Sequence, residues 1–396
     1  MTLGLSVAGL ALAIWIYLIL FRGGFWRLAE HDARDPPAAD PQPWPPVVAV
    51  VPARDEADVA PLSIASLAAQ DYPASFAIVL VDDNSSDGTA ERVREAVAPK
   101  ARLTILRGAP LTPPWTGKLW AVQQGLDHIA RLAEPPKYVL LTDADIVHAP
   151  RALRGLVARA ERDRLLLTSR MVRLRCESLP ERALIPAFVF FFRMLYPFAW
   201  VNRRDRRTAA AAGGCMLIDS RSLTAAGGVA AIRDCIIDDC ALGARLKALG
   251  PIWLGLTDCA ASIRPYAAWG DVRRMVARSA YAQLDYSPLF LVATIVGLAI
   301  TFLAPPLIAA CASGTARLAA IAAWTLMAVA FWPTLRFYRR SPLWAPLLPV
   351  IAAVYMGFTL DGAHQYLRRR GGMWKGRAQA PPATSRSARR RRARGR

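Results

Sequence analysis

The stretch Tyr138-Val-Leu-Leu-Thr-Asp-Ala-Asp-Ile146 decides the predicted fold of this chain. A short apolar run of strand-forming residues stops abruptly at two aspartates, Asp143 and Asp145, which are separated by one residue. Side chains two positions apart on an extended chain point the same way, and the end of a buried strand is where open α/β sheets bind ligands. The pair therefore predicts a divalent cation that carries phosphates, and the alternative interpretation is an acidic turn after a strand.

Strands and helices alternate from residue 47 up to this stretch. Predicted strands cover 47–51, 76–81, 103–106 and 138–141, and predicted helices cover 58–70, 89–97 and 118–133. Asp58 is the expected N-cap of the first helix. The first strand is apolar throughout, which is typical of a parallel strand covered on both faces. The alternating order predicts an α/β fold with a doubly wound sheet and right-handed crossovers.

Acidic clusters follow three of the four predicted strands. They are Asp55 with Glu56, Asp82 with Asp83, and Asp143 with Asp145. Because the carboxyl ends of parallel strands meet at one edge of a sheet, these clusters predict a nucleotide crevice. Neither the GxGxxG motif of dinucleotide-binding folds nor the GxxxxGK[ST] motif of P-loop proteins is present in the sequence. The phosphates must then be bound by a metal and by cationic side chains.

Long apolar runs predict membrane segments at both ends of the chain. Hydrophobic residues make up 54% of the 396 residues, which is high for a soluble protein. Leu3–Phe21 contains no charge and is followed by Arg22 and Arg27, so we predict an uncleaved anchor with the next region in the cytoplasm. Three further charge-free runs cover 289–316, 318–335 and 343–360.

The predicted organisation therefore has five parts. They are an anchor at 1–22, a Pro-rich linker at 23–46, a cytoplasmic α/β domain at 47–285, membrane helices at 286–362 and a basic tail at 363–396. The tail suits anionic lipid headgroups, and beside hydrophobic helices we expect no nucleic-acid partner. Three full spans would place this tail outside, so we expect it in the cytoplasm and one of the three C-terminal runs not to cross.

A segment of the α/β domain is also rich in aromatic residues. Residues 184–201 include Arg193 and two prolines, so this segment is too interrupted to span a bilayer. We predict an interfacial helix in the headgroup layer, and the alternative is an ordinary core helix. A domain tied to the bilayer at both ends implies an acceptor or ligand that lives in the bilayer, namely a lipid.

Four stretches, in order, resemble the successive motifs of family 2 glycosyltransferases of the GT-A fold. They are Val50-Val-Pro-Ala-Arg-Asp-Glu56, Val81-Asp-Asp-Asn-Ser-Ser-Asp-Gly-Thr89, Thr116-Gly-Lys118 and Asp143-Ala-Asp145. The resemblance implies that Asp82 and Asp83 hold the nucleoside base and that Asp55 and Glu56 lie near the base and ribose. Lys118 would lie near the base or diphosphate. Asp143 and Asp145 would hold Mg²⁺ or Mn²⁺ against the diphosphate.

The resemblance continues into the second half of the domain. It implies that Gly213-Gly214 is a loop against the donor sugar, although a tight turn entering a strand is an equally good reading. It also implies that Asp239 is the catalytic base, with Asp238 in the position of the family's Glu. The alternative is a pair of acids favoured by the macrodipole at a helix N-terminus.

The region before the membrane block departs from the pattern of polymerising family members. Their Gln-x-x-Arg-Trp motif corresponds here to a stretch in which Arg278 could take the diphosphate role, with Tyr281 in place of Trp and the Gln missing. This departure argues against a processive enzyme. For Arg273 and Arg274, a basic helix face lying on the bilayer is the preferred interpretation.

Nearly the whole chain resembles a bacterial subgroup, the hopanoid-biosynthesis-associated membrane glycosyltransferases. The resemblance implies a multi-pass inner-membrane enzyme with a cytoplasmic catalytic domain. The enzyme would move a sugar, with inversion, from a nucleotide-sugar donor (a UDP-sugar is expected) to a lipid hydroxyl. The alternatives are a polyprenyl-phosphate or other glycolipid glycosyltransferase, and a non-catalytic membrane scaffold with a vestigial GT-A fold.

Overall fold

A mixed eight-stranded sheet lies at the centre of the computed structural model, which describes residues 2–34, 41–99, 101–368, 372–374 and 377–378. Most of the predicted basic tail, and residues 35–40 of the predicted linker, lie outside the described residues. The strands are β1 Val47–Ala53, β2 Phe76–Asp82, β3 Leu103–Arg107, β4 Tyr138–Thr142, β5 Ile146–His148, β6 Leu167–Arg173, β7 Cys215–Asp219, β8 Ile252–Ser262, β9 Met373–Trp374 and β10 Arg377–Ala378.

Helices cover both faces of this sheet and continue into the C-terminal block. They are α1 Thr2–Phe21, α2 Ala60–Ala68, α3 Thr89–Ala96, α4 Gly117–Ile129, α5 Ala152–Asp163, α6 Leu179–Leu195, α7 Phe198–Val201, α8 Ser220–Ala225, α9 Asp238–Leu249, α10 Trp269–Ala280, α11 Pro288–Leu298, α12 Ala304–Cys311, α13 Gly314–Phe337 and α14 Leu348–Leu367. A π-helical turn, Ala299–Leu303, joins α11 to α12.

The N-terminal half of the sheet is parallel, as the alternating pattern predicts. The strand order β3-β2-β1-β4 places the first strand between the second and the fourth. Every residue of β1 is buried, because helices cover both faces of this strand. The parallel pairing brings the carboxyl ends of β1, β2 and β4 to one edge, where all three acidic clusters begin.

The C-terminal half of the sheet is mixed, which the sequence did not predict. The full order is β3-β2-β1-β4-β7-β6-β8-β5, and β7 runs antiparallel to both of its neighbours. In this register Cys215 lies opposite Thr142, so the start of β7 meets the end of β4. The predicted doubly wound α/β fold is therefore confirmed, and the antiparallel β7 carries the Gly213-Gly214 loop to the edge where Asp143 lies.

The start of α2 differs from the sequence prediction. Asp58 does not cap this helix: the N-cap is Val59, which makes no side-chain capping bond, and Pro61 occupies the first turn. Proline is favoured there because its ring pre-sets the helical φ angle and its missing amide hydrogen is not needed. Asp58 instead points outward and lies 3.6 Å from Arg92.

The predicted interfacial helix is wrong, because α6 is a core helix. Phe190 and Arg193 are almost completely buried, at 0% and 1% exposure. One face of α6 packs with α13 and α14, where the Tyr355 hydroxyl donates to the Leu184 carbonyl at 2.8 Å, and the other face packs into the core beside the sheet. The helix is therefore packed between the sheet and the C-terminal helices, with Phe188 and Phe192 partly buried beside a cavity, and α6 joins the α/β domain to the C-terminal helices.

Within the described residues, four helical segments are long and apolar enough to cross a membrane. They are Leu3–Phe21, Pro288–Cys311, Gly314–Phe337 and Pro342–Leu367. α1 packs along α13, and the Trp15 indole donates to the Thr301 carbonyl at 2.9 Å in the π-helical turn. These segments indicate a membrane-associated protein, as the sequence predicts.

Candidate active site

A cavity of about 1370 Å³ opens at the carboxyl edge of the sheet. Its lining includes nine of the twelve residues that the sequence analysis singles out: Asp55, Glu56, Lys118, Asp143, Asp145, Gly213, Gly214, Asp239 and Arg278. Asp238 lines a small recess beside it, together with Lys118. Strands β1 and β4, the loop before β7 and helix α9 bring these residues together from distant parts of the chain.

The two aspartates of the DxD turn already have cationic neighbours. The turn is the three-residue gap between β4 and β5. The Lys118 ammonium lies 2.9 Å from Asp143 Oδ1. On the other aspartate, the Ser262 hydroxyl donates to Asp145 Oδ2 at 2.6 Å, and Arg264 Nε lies 3.3 Å from the same oxygen. Both carboxylates are thus held in fixed positions on the cavity wall.

Lys118 lies between the DxD turn and the acids of α9. It occupies the first turn of α4, whose N-cap Thr116 accepts from the Leu119 amide. Its ammonium is 2.9 Å from Asp143 and 3.3 Å from Asp238. Burial alone lowers the pKa of Lys118, but the surrounding carboxylates raise it well above its usual value. This side chain is therefore a permanent cation at the centre of the site.

Asp239 is held by backbone amides rather than by a cation. Its Oδ2 accepts from the Gly213 amide at 2.9 Å, and its Oδ1 accepts from the Cys240 amide at 2.7 Å. Burial, with the adjacent charge of Asp238, raises the pKa of Asp239 to about 6. A carboxylate with a pKa near the working pH is suited to accept a proton.

The Gly213-Gly214 loop lies directly against this base. A Cβ added to Gly213 would be 3.4 Å from both Asp239 Oδ2 and the Lys118 ammonium. A Cβ on Gly214 would be 3.0 Å from Val172, and the Gly214 carbonyl accepts from the Thr142 hydroxyl at 2.7 Å. The absence of side chains lets this backbone close the space between Lys118 and Asp239.

The loop of residues 54–56 that follows β1 is called the first loop. Asp82 and Asp83, at the end of β2, lie behind this loop, and neither lines the cavity. Asp83 is fully buried, and Arg54 donates to its carbonyl at 2.5 Å. Asp82 Oδ1 accepts from the Ser85 amide at 2.9 Å. Asp55, which has a positive φ of 50°, accepts from the Ser86 amide at 2.8 Å. These contacts fold the two loops together at one end of the cavity.

The sequence analysis missed residues at the end of β8. Arg264 Nη2 lies 2.6 Å from Glu56 Oε1, so Arg264 links the first loop to the DxD turn. The sequence signal that could have identified them is the occurrence of polar residues, Ser262 and Arg264, at the end of a long strand.

One wall of the cavity comes from α10 and the last turns of α14. Arg273 lies 3.3 Å from Asp361 of α14, and Arg274 contacts Asp271. His364, Gln365 and Arg368 of α14 also line the cavity. Arg273 and Arg274, for which the sequence favoured a bilayer face, are thus part of the cavity wall, and the contribution of α14 was not foreseen.

The donor set at the DxD turn fits a divalent cation that arrives with phosphates. Among the residues that the structure describes, no group of three or more His, Cys, Asp or Glu side chains is arranged to hold a metal ion. Asp143 and Asp145 supply two carboxylates on one wall of a roomy cavity. Mg²⁺ is usually bound by one or two carboxylates, with substrate phosphates and water completing its ligands.

This fold and this site define the class of the protein: a nucleotide-sugar glycosyltransferase of the GT-A fold. The model of the Glycosyltransferase like family 2 matches residues 45–256. The chain belongs to this family. Comparison with curated protein sequences gives no match.

The chain is similar to several solved structures, and the first of those that follow shares its fold. The mannosyltransferase PcManGT from Pyrobaculum calidifontis, solved with GDP-Man and Mn²⁺, is 19% identical with a TM-score of 0.58, covering 91% of this chain and 98% of that one. Mannosyl-3-phosphoglycerate synthase from Rubrobacter xylanophilus is 19% identical with a TM-score of 0.41, covering 64% and 79%. Glucosyl-3-phosphoglycerate synthase from Mycobacterium tuberculosis, solved with Mn²⁺, UDP-Glc and phosphoglyceric acid, is 16% identical with a TM-score of 0.38, covering 63% and 86%.

Proposed function

We propose that the protein is a membrane-bound, inverting and non-processive glycosyltransferase that moves a sugar from a nucleotide donor to a lipid hydroxyl. One observation carries this proposal. A single cavity is lined both by Asp143, Asp145 and Asp239 and by the last turns of α14, and the segment Pro342–Leu367 that contains α14 is long and apolar enough to cross a membrane. An acceptor that reaches the base through this cavity can remain in the bilayer.

The cationic and acidic side chains of the cavity have different proposed roles in binding the donor. Lys118 and Arg278 would bind the diphosphate, and the first loop with Asp55 and Glu56 would lie near the nucleoside. Asp143 and Asp145 would hold Mg²⁺ or Mn²⁺, which when bound offsets the negative charge that develops on the leaving diphosphate. The Mn²⁺ and GDP-Man in the Pyrobaculum mannosyltransferase support a cation of this kind. We propose a UDP-sugar as the donor.

Asp239 would act as the general base. It accepts the proton of the acceptor hydroxyl as that oxygen attacks the anomeric carbon, while the bond between the sugar and the diphosphate breaks on the opposite face. The amides of Gly213 and Cys240 hold the carboxylate, at 2.9 and 2.7 Å, and its raised pKa favours proton uptake. Attack from the face opposite the leaving group inverts the anomeric centre.

The middle of the cavity supports an apolar acceptor. Phe188 and Phe192 lie one helical turn apart on α6 and face the cavity together with Met275 of α10. These side chains give the cavity an apolar part in addition to its acids and cations. The resemblance to the hopanoid-associated subgroup supports a triterpenoid lipid as the acceptor.

A phosphorylated lipid, such as a polyprenyl phosphate, is the second candidate acceptor. The observation that favours it is the basic character of the α10–α14 wall, where His364 and Arg368 line the cavity in addition to Arg273 and Arg274, which have acidic partners. An anionic headgroup would be attracted to this wall, whereas a neutral hydroxyl lipid would gain little from it.

We propose that the α/β domain is cytoplasmic on a bacterial inner membrane and that the segment after α13 does not cross the bilayer. Both ends of the segment 338–367 contact the α/β domain, which supports this path. Tyr338 packs in the core beside the sheet, and Asp361 pairs with Arg273 of α10. Between them, the Pro346 carbonyl accepts from Trp324 in the middle of α13 at 3.0 Å. A segment that enters and leaves on one side would return the basic tail to the cytoplasm.

The experiment is release of nucleoside diphosphate by the purified full-length protein from a panel of UDP- and GDP-sugars. We expect release that requires Mn²⁺ or Mg²⁺ and increases when a bacterial lipid extract is added. A non-catalytic scaffold would release nothing with any donor, with or without lipid. Fractionating the extract into neutral and phosphorylated lipids then separates the two candidate acceptors, because only the fraction with the acceptor stimulates release.

A further inference from the structure

The second aspartate of the DxD turn is enclosed by two residues from the end of β8. Asp145 is 7% exposed, and its Oδ2 accepts from the Ser262 hydroxyl at 2.6 Å. The Arg264 guanidinium lies 3.3 Å from the same oxygen. The carboxylate that the proposed function assigns to a divalent cation therefore already has a positively charged partner in the protein itself.

Arg264 also ties this aspartate to the first loop. Its Nη2 lies 2.6 Å from Glu56 Oε1, and Glu56 is only 7% exposed. The guanidinium of an arginine is charged at any working pH, so Arg264 is an ion-pair partner of both carboxylates. One fixed cation thus joins two buried carboxylates that lie 89 positions apart in the chain and face the same cavity.

We propose that Arg264 is a resident cation of the metal site, which occupies Asp145 in the donor-free protein and must release it before a divalent cation binds there. The inference rests on the proposed function, because it concerns the same metal site. An arginine keeps its proton at any working pH, so its guanidinium repels a divalent cation that binds the same carboxylate and competes with it for Asp145.

Release of Asp145 does not remove Arg264 from the cavity. Its link to Glu56 holds the guanidinium at the wall, beside the space where the diphosphate of the donor would lie. The diphosphate then offers Arg264 a new anionic partner that replaces Asp145. Arg264 is accordingly a positioning residue that couples metal binding to donor binding and keeps the metal affinity of the donor-free protein low.

The test is Mn²⁺ binding to the purified full-length protein without nucleotide, measured from the electron paramagnetic resonance signal of free Mn²⁺. We expect Arg264→Gln to bind Mn²⁺ about tenfold more tightly than the wild type, because the competing charge is gone. A residue with a merely structural role would not raise the affinity when it is removed. Arg264→Met, which keeps the packing of the aliphatic stem, is the second variant if the Gln variant fails to fold.

Arg274→Gln is the matched control. It removes one positive charge from the same cavity, but Arg274 contacts Asp271 and not the DxD turn. We expect its Mn²⁺ affinity to stay within about twofold of the wild type, since exposed charges at a distance are screened. An equal increase in the control would overturn the proposal, because the effect would then come from the overall charge of the cavity.

Two other results separate this inference from the proposed function. Equal Mn²⁺ affinity in the wild type and in both Arg264 variants would overturn the role of Arg264 and leave the metal site intact. A lack of Mn²⁺ binding in every protein, even with a nucleoside diphosphate added, would instead overturn the metal site of the proposed function and the inference with it.

Discussion

Asp238 and Asp239 are neighbours in the first turn of α9 but have different surroundings. Asp238 lies 3.3 Å from the Lys118 ammonium, which stabilises its charge. Asp239 accepts hydrogen bonds from two backbone amides, and burial raises its pKa to about 6. The helix macrodipole favours acids at both positions, so it does not explain this difference. The environment of Asp239 is that of a proton acceptor, and the environment of Asp238 is that of an ion-pair partner.

The first prediction concerns the base. Asp239→Asn should lower the rate of sugar transfer by about two to four orders of magnitude, because general-base catalysis contributes that much. Donor binding, measured by calorimetry with a nucleoside diphosphate, should remain. Asp238→Asn is the matched variant: it removes a partner of Lys118 and should act mainly on donor affinity. Transfer at the wild-type rate by Asp239→Asn would refute the assignment of the base.

The second prediction is the pH dependence of transfer. Asp239 accepts a proton only when it is ionised, so the rate should fall as the pH drops through the raised pKa of about 6. Below this pKa, we expect about a tenfold loss of rate for each pH unit. The measurement is the transfer rate at saturating donor between pH 5 and pH 8. A rate that stays constant over this range would contradict the role of Asp239.

The proposed site could be predicted from the sequence only where it follows local patterns. Asp143, Asp145 and Lys118 were predicted because they follow a strand or begin a helix within a recognisable motif. Arg264 was missed because its hydrogen bond to Glu56 joins residues 208 positions apart. No periodicity or spacing carries information about such a contact, since the fold of the entire sheet produces it.

At the scale of elements, the crossing of α10 and α14 forms one wall of the cavity. The two helices approach so closely that a Cβ on Gly362 would lie 2.6 Å from the Ala277 carbonyl oxygen. Glycine is required at this point because the backbone of α10 occupies the space that a side chain would need. Asp361, beside this glycine, then reaches Arg273 at 3.3 Å.

The third prediction tests this crossing. Gly362→Ala should destabilise the protein by about 1–3 kcal/mol, because the added methyl group forces the two helices apart. Gly357, also in α14, has nothing within 4 Å of an added Cβ. Gly357→Ala should therefore be neutral or slightly stabilising, since alanine has the higher helix propensity. The measurement is the midpoint of thermal unfolding in detergent, and an equal midpoint for both variants would contradict the crossing.

The parallel pairing in the first half of the sheet could be predicted from the alternation of strands and helices. The antiparallel direction of β7 and the burial of α6 could not be predicted from any local pattern. The direction of β7 depends on how the chain returns after α6 and α7, which is a property of long-range packing. Phe190 of α6 could equally well lie at a membrane surface by its composition, and it is buried here because the rings of Phe25 and of Phe331 in α13 pack against it. Sequence periodicity gives the apolar face of a helix but not its partner.

At the scale of the whole molecule, the chain leaves the α/β domain and returns to it. After α13, Phe337 packs edge-on against His31 at 5.7 Å, and Tyr338 is buried beside the sheet. The segment then turns back along α13, and α14 ends at the catalytic cavity. This path joins the membrane block to the site, and it supports our proposal that the last segment enters and leaves on one side.

The fourth prediction is the resulting topology. A fluorescent protein fused to the C-terminus should be fluorescent, because the proposed topology places the tail in the cytoplasm. Alkaline phosphatase inserted after Ala312, between α12 and α13, should be active, because this turn would lie on the other side of the membrane. The basic residues that follow α13, Arg339 and Arg340, agree with the positive-inside rule. Active phosphatase at the C-terminus would contradict the topology.

The most direct test of the central claim is the partition of a labelled sugar. The purified protein is incubated with a radiolabelled nucleotide sugar, Mn²⁺ and a bacterial lipid extract, and the mixture is then separated into aqueous and organic phases. The account predicts label in the organic phase as a glycolipid, and no such label with a chelator or with the Asp239→Asn variant. Label that stays in the aqueous phase with the wild type, for every donor tested, would contradict transfer to a lipid.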